Sequence, residues 1–329
     1  MKKTVSLLLV LLLSIALLTG CSSGGSTPTP APTEVPATEV PATEVPATEV
    51  PATEVPATDA PAVTDEPAAE PVAAAQPKKV SIMATTSPHG EILELIKEDM
   101  AALGYELELM IVTDYVTENP AVSGGDVDAN FFQHVPYLAG YNADMEAAGQ
   151  KDNQLTGVIP THFEPLGIYP GTKKSFDELT EGDVIVVPND ASNMNRAYLL
   201  LADAGLIEVP EGTTLESTLT KADIINPKGL EFMEANAELA PGLLSDVAFA
   251  VINGNNAALA GLNPNTDAAY AEKPESLAGQ SYVNLFAVRP ENAEADFVKA
   301  LEQCVYSQKV YDLIVERGFT PVFQVPAAE

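Results

Sequence analysis

From Lys79 onward the sequence alternates between short apolar runs and amphipathic segments, and this alternation restricts the chain to few folds. The first apolar run, Val80 to Ala84, has the length of a buried strand, and residues 91–103 then follow a helical pattern of apolar positions. Repeated strand and helix units of this kind predict an α/β fold with parallel sheets. About 250 residues follow Lys79, which exceeds the size of most single cores, so we expect a two-lobed body.

The other elements are predicted from the same patterns. Strands are expected at 105–112, in a segment that ends near Phe131, and at 184–188, 230–233, 247–252 and 282–288. Helices are expected near Tyr115 and at 136–148, 175–179, 193–204, 293–306 and 308–317. Gly104, Gly149 and Gly205 directly follow three of the predicted helices, as C-terminal glycine caps do.

The order of these elements predicts two crossings between the lobes. The last strand and the last two helices are expected to return to the first lobe. Lobe 1 would then consist of residues 78–167 and 281–329, and lobe 2 of residues 168–280, with a ligand cleft between them. Clefts between domains are a common place for small-molecule sites.

The N-terminus has the pattern of an export signal. Lys2 and Lys3 precede an apolar run, residues 5–18, that is shorter than the about 20 apolar residues of a membrane-spanning helix. The run ends in Leu18-Thr19-Gly20-Cys21, which resembles a bacterial lipobox. We expect residues 1–20 to be removed and Cys21 to carry fatty acyl chains such as palmitate, since stable anchoring takes more than one chain. The alternative is an ordinary secretory signal in which the cysteine plays no part.

A repetitive segment separates the signal from the body. The pentapeptide Thr-Glu-Val-Pro-Ala occurs five times from Thr33 to Ala57, and a degenerate sixth copy ends at Ala62. Proline at every fifth position favours extended backbone, and the glutamates repel one another. Residues 21–77 are therefore predicted to be an extended tether, because they have too little apolar surface to form a binding module.

Charge and cysteine content exclude several classes of protein. The formal net charge is −31, and residues 78–329 hold 38 acidic and 14 basic side chains, so the basic clusters that bind nucleic acid are missing. Once Cys21 carries lipid, only Cys304 remains, in a helical pattern that predicts a buried structural thiol and no intrachain disulfide. We expect no enzyme, because the sequence has no nucleophile elbow, no His-Glu-x-x-His and no phosphate-binding glycine loop.

Six short motifs occur in an order and spacing that resemble one family. They are SPHGEIL at 87–93, TDYV at 113–116, DANFFQH at 128–134 with Pro136-Tyr137, PND at 188–190 with Asn193 and Arg196-Ala197, VINGN at 251–255 with Ala260-Gly261-Leu262, and YVNL at 282–285. Over about residues 78–320 the chain is thus similar to the methionine-binding lipoproteins of ABC importers.

The resemblance implies both a fold and a function. The fold would be a two-lobed, periplasmic-binding-protein-like fold of type II with the ligand in the cleft. The protein would sit on the extracytoplasmic face of the cell membrane, held by its lipid, capture L- or D-methionine, and deliver it to the permease and ATPase of an ABC importer. We expect a monomer without cofactor or metal ion.

An amino-acid ligand needs partners for its two charged groups. Arg196 can bind a buried carboxylate with its planar fork, and it stands near the predicted start of a helix, where free backbone N–H groups also favour an anion. The resemblance assigns the ligand carboxylate to the matching arginine; a salt-bridged surface arginine is the alternative. Asn193, Asn253 and Asn284 are candidates for the ammonium and carboxylate groups, with helix caps and turns as the alternative.

Four aromatic side chains are candidates for the pocket of the thioether tail, because rings contact sulfur favourably. In strand alternation Phe132 and His134 point the same way, so both can face the cleft while Phe131 packs into the core. The family's side-chain pocket matches the positions Tyr115, Phe132, His134 and Tyr137; core positions are the alternative. Asn256 stands where the family often has tyrosine, so the outer pocket wall either admits a larger or more polar ligand or is unaffected.

Other functions stay open at this level. His89, His134 and His162 with one carboxylate could hold zinc in an exported metal-binding protein, although none has a second histidine two to four residues away. A structural or adhesive surface lipoprotein would explain the tether but not the two-lobed pattern. A methionine-containing dipeptide or another small apolar amino acid remains an alternative to methionine itself.

Deletion of residues 1–77 is expected to leave a soluble monomer that binds ligand fully, because the tether adds reach and no contacts. Size-exclusion chromatography and titration calorimetry measure the two properties. Cys21→Ala is expected to release otherwise normal protein from membranes. A truncated chain that does not fold, or a Cys21→Ala protein that still fractionates with lipid, contradicts the tether.

Overall fold

The computed structural model describes residues 76–326. The predicted signal peptide, the lipidation site Cys21 and the repeat tether lie outside these residues. Within residues 76–326, none of the helices has both the length and the apolar character required to cross a bilayer.

The first sheet has six strands and carries the first part of the body. They are β1 (Lys78–Thr85), β2 (Tyr105–Val112), β3 (Ala129–His134), β4 (Thr156–Phe163), β10 (Val283–Val288) and β11 (Thr320–Pro321), in the order β11-β4-β10-β3-β1-β2. β1 pairs in parallel with β2 and β3, whereas β10 runs antiparallel to both β3 and β4. The expectation of parallel sheets holds for β1, β2 and β3 but is wrong for β10, which enters after a long excursion, so that no strand–helix–strand crossover sets its direction.

The second sheet has five strands, all from the middle of the chain. They are β5 (Gly167–Pro170), β6 (Val184–Pro188), β7 (Glu231–Ala235), β8 (Phe249–Ile252) and β9 (Tyr270–Ala271), in the order β7-β6-β8-β5-β9. β6 is parallel to β7 and β8, and β5 is antiparallel to β8 and β9. The chain passes between the sheets twice, at 164–166 and at 272–282. The body is a two-lobed α/β fold; the exact lobe boundaries stay a prediction.

Eight helices accompany the sheets in the described part of the chain. They are α1 (Glu91–Ala102), α2 (Glu118–Gly124), α3 (Val135–Ala147), α4 (Ala191–Asp203), α5 (Gly254–Leu259), α6 (Leu277–Ser281), α7 (Asp296–Val305) and α8 (Gln308–Glu316). Gly104, Gly149 and Gly205 have φ angles of +86°, +72° and +73°, which confirms the predicted glycine caps. The helix predicted near Tyr115 begins three residues later, and Tyr115 lies in the loop before it.

Two large apolar cores support the sheets. The first packs α1, α7 and α8 on the first sheet, where the rings of Phe131 and Phe286 stack with centroids 4.0 Å apart. Cys304 is buried in this core, as predicted, and burial raises the pKa of its thiol to about 11. The second core packs α4 on the second sheet through Ala197, Tyr198, Leu200 and Leu201. One face of α4 is thereby committed to the core, and another is left for the cavity described below.

Candidate functional site

The eight side chains predicted to bind ligand line a single cavity. It is bounded by Tyr115, Phe132, His134, Tyr137, Asn193, Arg196, Asn253 and Asn284, together with Gln133, Glu164, Gly254 and Asn255. The cavity includes about 320 Å³ of space between atoms, part of it open to solvent.

The cavity lies where the carboxyl ends of strands from both sheets come together. His134 ends β3, and Asn253 and α4 follow the parallel strands β8 and β6. Asn284 is the exception, because it is the second residue of β10 and not a residue after a strand. Since β10 is antiparallel to its neighbours, its first residues reach the same edge, where Asn284 is in register with His134 and His162.

Arg196 is buried, with 3% of its side chain exposed, and its charge is already paired within the chain. Its Nε and Nη2 donate to the two carboxylate oxygens of Glu272 at 2.8 and 2.5 Å, and Nη2 also donates to the carbonyl oxygen of Glu164 at 2.8 Å. Burial alone would lower the pKa of the guanidinium, but Glu272 raises it above its ordinary value. The guanidinium carbon lies 4.1 Å from the ring centre of Tyr282.

The position of Arg196 corrects two expectations. The two-pronged pairing expected with a ligand carboxylate is made with Glu272, a residue that the sequence did not point to. Arg196 is also the sixth residue of α4, beyond the first turn whose N–H groups would favour an anion. Among residues 76–326 nothing accepts a hydrogen bond from Nη1 of Arg196, so this nitrogen is the donor left for an anion.

His134 is a neutral hydrogen-bond donor. Its Nδ1 accepts from the backbone N–H of Tyr137 at 3.1 Å, so the proton sits on Nε2, which lies 3.0 Å from Oδ1 of Asn193. Burial and, second, the charge of Arg196 lower the pKa of His134 to about 3. The ring therefore adds no positive charge to the cavity at neutral pH.

Asn193 uses all of its amide to hold other residues. Its Oδ1 also accepts from Nδ2 of Asn253 at 2.8 Å, and its own Nδ2 donates to the carboxylate of Asp190. Asp190 in turn caps α4 by accepting from the backbone N–H of Asn193. Asn193 thus orients His134 and Asn253 and has no group left over for a ligand.

Three amide groups of the cavity each keep one atom free for a polar ligand. Oδ1 of Asn253 is buried and has no hydrogen-bond donor among the described residues. Oδ1 of Asn284 accepts from Nε2 of His89 at 3.1 Å, which leaves Nδ2 of Asn284 as a donor without an acceptor in residues 76–326. Nη1 of Arg196 and Nδ2 of Asn255, which also lines the cavity, likewise lack an acceptor among the described residues, so the cavity offers three donors and one buried acceptor.

Three aromatic rings form the apolar wall of the cavity. The ring centres of Tyr115 and Tyr137 lie 5.8 and 5.5 Å from that of Phe132, and 6.2 Å from each other. Phe131 faces the opposite side and packs in the first core, which confirms the predicted alternation. This wall can hold an unbranched apolar tail.

Asn256 holds one of these rings in place. The hydroxyl of Tyr115 donates to Oδ1 of Asn255 at 2.5 Å and accepts from Nδ2 of Asn256 at 2.9 Å. Asn256 therefore contacts the outer edge of Tyr115 and does not line the cavity itself. Asn255, which belongs to the sequence motif at 251–255, contributes to the cavity although it was not singled out.

A buried cluster beside the cavity contains metal-ligand types of side chain. The nearest imidazole and carboxylate atoms of His89, His162 and Glu164 lie within 4.8 Å of one another, but His134 is bonded elsewhere, so the three-histidine set considered for zinc does not form. His162 Nε2 lies 2.8 Å from Glu164 Oε1. Two ligand atoms of one tetrahedral zinc lie more than about 3 Å apart, because each is about 2 Å from the metal. The contact between His162 and Glu164 is shorter than that, so the cluster has the spacing of a hydrogen-bond network.

Comparisons with known proteins agree with this architecture. The profile of the NlpA lipoprotein family matches residues 80–327. The D-methionine-binding lipoprotein MetQ of Escherichia coli strain K12 is 38% identical over 225 residues, covering 68% of this chain and 78% of that protein. The methionine-binding lipoprotein MetQ of Bacillus subtilis strain 168 is 34% identical over 245 residues, covering 73% and 85%.

Solved structures show the same fold. A lipoprotein from Ruminococcus gnavus has a TM-score of 0.70 at 39% identity, covering 75% of this chain and all of that one. A nutrient-binding protein from Burkholderia cenocepacia, solved bound to methionine, has a TM-score of 0.67 at 34% identity, covering 74% of this chain and all of that one. This chain belongs to the NlpA lipoprotein family.

Proposed function

We propose that this chain is a lipid-anchored substrate-binding protein that captures methionine outside the cytoplasm for an ABC importer. The observation that carries the proposal is the composition of the cavity. Two donors, Nη1 of Arg196 and Nδ2 of Asn284, suit a carboxylate; the buried Oδ1 of Asn253 suits an ammonium group; and three aromatic rings suit an apolar tail. A free amino acid with a thioether side chain has all three features.

The charge of the cavity favours a zwitterion over an ion. Arg196 is neutralised by Glu272, His134 carries no charge, and the carboxylate of Glu164 accepts hydrogen bonds from His162 and from the backbone N–H of Asn255. A ligand with a net charge would bring an uncompensated charge into a buried site, which costs several kcal/mol by the usual order of magnitude. A zwitterionic amino acid brings its charges in a balanced pair.

The names of the relatives support methionine as the ligand and an ABC importer as the partner. Relatives at 34–40% identity are named methionine-binding or D-methionine-binding lipoproteins, and a structural neighbour from Coxiella burnetii is described as an ABC transporter substrate-binding protein. The lipid would be attached at Cys21 on the extracytoplasmic face of the membrane, and the partners would be the permease and ATPase of the importer. The proposed role is binding by a monomer and not catalysis.

Arg196→Ala is expected to weaken methionine binding by roughly one to two orders of magnitude, because the ligand carboxylate loses the donor Nη1 and a hydrogen bond to a charged group is worth about 1.5 to 3 kcal/mol. Titration calorimetry on the chain without residues 1–77 measures the loss. The substitution also strands the buried Glu272, so circular dichroism must show a folded protein. Arg196→Lys keeps a positive charge for Glu272 but removes the forked donor, and it is expected to weaken binding as well.

Arg317→Ala is the matched control, because Arg317 is part-exposed and pairs with Glu91 away from the cavity. Its methionine affinity is expected to equal that of the wild type. Near-native methionine affinity in folded Arg196→Ala contradicts the role of Arg196.

Phe132→Ala is expected to weaken methionine binding roughly tenfold and to reduce the preference for methionine over alanine, because it removes tail contacts and leaves the polar groups in place. Calorimetry with both amino acids measures the preference. Phe297→Ala, which removes a part-buried ring packed on the first core, is the matched control. A folded Phe132→Ala protein with unchanged selectivity rules out the aromatic tail pocket.

Chelation separates the methionine function from the zinc alternative. Treatment with a chelator is expected to change neither methionine affinity nor the melting temperature, since His162 and Glu164 are hydrogen-bonded to each other and His89 to Thr85 and Asn284. Elemental analysis of purified protein provides an independent reading. Stoichiometric zinc, or loss of binding after chelation, favours the metal-binding function.

A further inference from the structure

Glu164 occupies the first crossing between the two sheets and contacts residues of both. Its carbonyl oxygen accepts from Nη2 of Arg196 at 2.8 Å, and its Oε2 accepts from the backbone N–H of Asn255 at 2.7 Å. On the other side, Oε1 lies 2.8 Å from Nε2 of His162 and 3.5 Å from Nε2 of His89. One buried residue thus joins the arginine of the cavity to two buried histidines.

Glu164 is the hydrogen-bond acceptor of this cluster. The Thr161 hydroxyl lies 2.8 Å from Nδ1 of His162 and 3.0 Å from the carbonyl oxygen of Asn284. A carboxylate oxygen only accepts, so the 2.8 Å contact between Nε2 of His162 and Oε1 of Glu164 places a proton on Nε2. Burial raises the pKa of Glu164, but its hydrogen bond from His162 and the nearby histidines lower it overall, so Glu164 acts as an acceptor.

The same acceptor determines which nitrogen of His89 carries the proton. Nδ1 of His89 lies 2.7 Å from the Thr85 hydroxyl, which has no other acceptor among the described residues, and so accepts from it. Nε2 therefore carries the proton, and it lies 3.5 Å from Oε1 of Glu164, a carboxylate oxygen that can only accept. Burial lowers the pKa of His89 to about 4, so the ring is neutral.

The N–H group at Nε2 of His89 fixes the orientation of the Asn284 side-chain amide. With Nε2–H pointing at it, Asn284 must present its oxygen to His89 and its NH₂ group to the cavity. The reversed amide would set Nδ2 of Asn284 against Nε2–H of His89 in a buried site and leave that amide donor without an acceptor, which costs free energy. The orientation of Asn284 is therefore not free to adapt to the ligand.

We propose that His89, held by Glu164, is a positioning residue for ligand recognition that fixes Nδ2 of Asn284 as a carboxylate donor. This inference rests on the proposed function. His89 does not line the cavity, so it acts on the ligand only through Asn284. The carboxylate of an amino acid gains a donor oriented before binding, whereas a ligand with a neutral amide in its place gains little.

Methionine and methioninamide, which lacks the carboxylate, test this proposal. In His89→Ala the dissociation constant for methionine is expected to rise about tenfold, as for the loss of one fixed hydrogen bond, while that for methioninamide changes little. The ratio of the methioninamide constant to the methionine constant, which measures the preference for the carboxylate, therefore falls about tenfold. A merely structural role would weaken both ligands alike and leave the ratio unchanged. Titration calorimetry at one pH measures both constants.

Further variants test whether His89 changes the ratio through Asn284 and with the help of Glu164. In an Asn284→Ala background, His89→Ala is expected to change the ratio no further, because the residue through which it acts is absent. His89→Gln keeps an amide donor and should restore part of the ratio. Glu164→Gln keeps the hydrogen bond from Arg196 to the backbone carbonyl oxygen but removes the charged acceptor near His89. The ratio is expected to fall in this variant too, which provides a test if His89→Ala does not fold. Cys304→Ala, another buried substitution, is the control for lost stability alone.

The wild-type chain separates this proposal from the proposed function. If the wild type does not bind methionine, the proposed function fails and the positioning role fails with it. If the wild type binds methionine but folded His89→Ala and Glu164→Gln keep the wild-type ratio, the positioning role alone is overturned. Additive effects of His89→Ala and Asn284→Ala also overturn it.

Discussion

The buried guanidinium of Arg196 is the interaction on which the cavity depends. A charge removed from water is tolerated only when it is paired and hydrogen-bonded, and Glu272 and the carbonyl of Glu164 meet both needs. These bonds come from the two segments where the chain crosses between the sheets, at 164–166 and 272–282. The same bonds hold the guanidinium in one orientation, so that only Nη1 remains for a ligand.

The amides around Arg196 are fixed in a similar way. The amide oxygen of Asn193 is hydrogen-bonded to His134 and Asn253, and its NH₂ group to Asp190. His89 fixes the orientation of the Asn284 amide. Each free polar atom of the cavity therefore has its direction set by the protein. A site organised in this way loses little conformational freedom on binding, which favours affinity for the ligand whose groups match.

Much of this architecture follows from local sequence, and the rest depends on long-range pairing. The glycine caps and the alternation of Phe131 and Phe132 were predictable from short segments, and the cavity residues were predictable from motifs shared with a family. Glu272 was not, because it lies 76 residues from Arg196 in a segment without periodicity. β4 was missed because Thr156 to Phe163 contains proline, threonine and histidine in place of an apolar run. The direction of β10 depends on a partner strand that the local sequence does not reveal.

The central claim is that the cavity recognises a free zwitterionic amino acid with a thioether tail. Mass spectrometry of the small molecules released on denaturing protein purified without added amino acids tests this most directly, and chiral chromatography of the extract then separates the L and D forms. The account predicts that methionine is released in a stoichiometric amount. Stoichiometric release of a different class of compound, such as an organic anion or a metal ion, would contradict it.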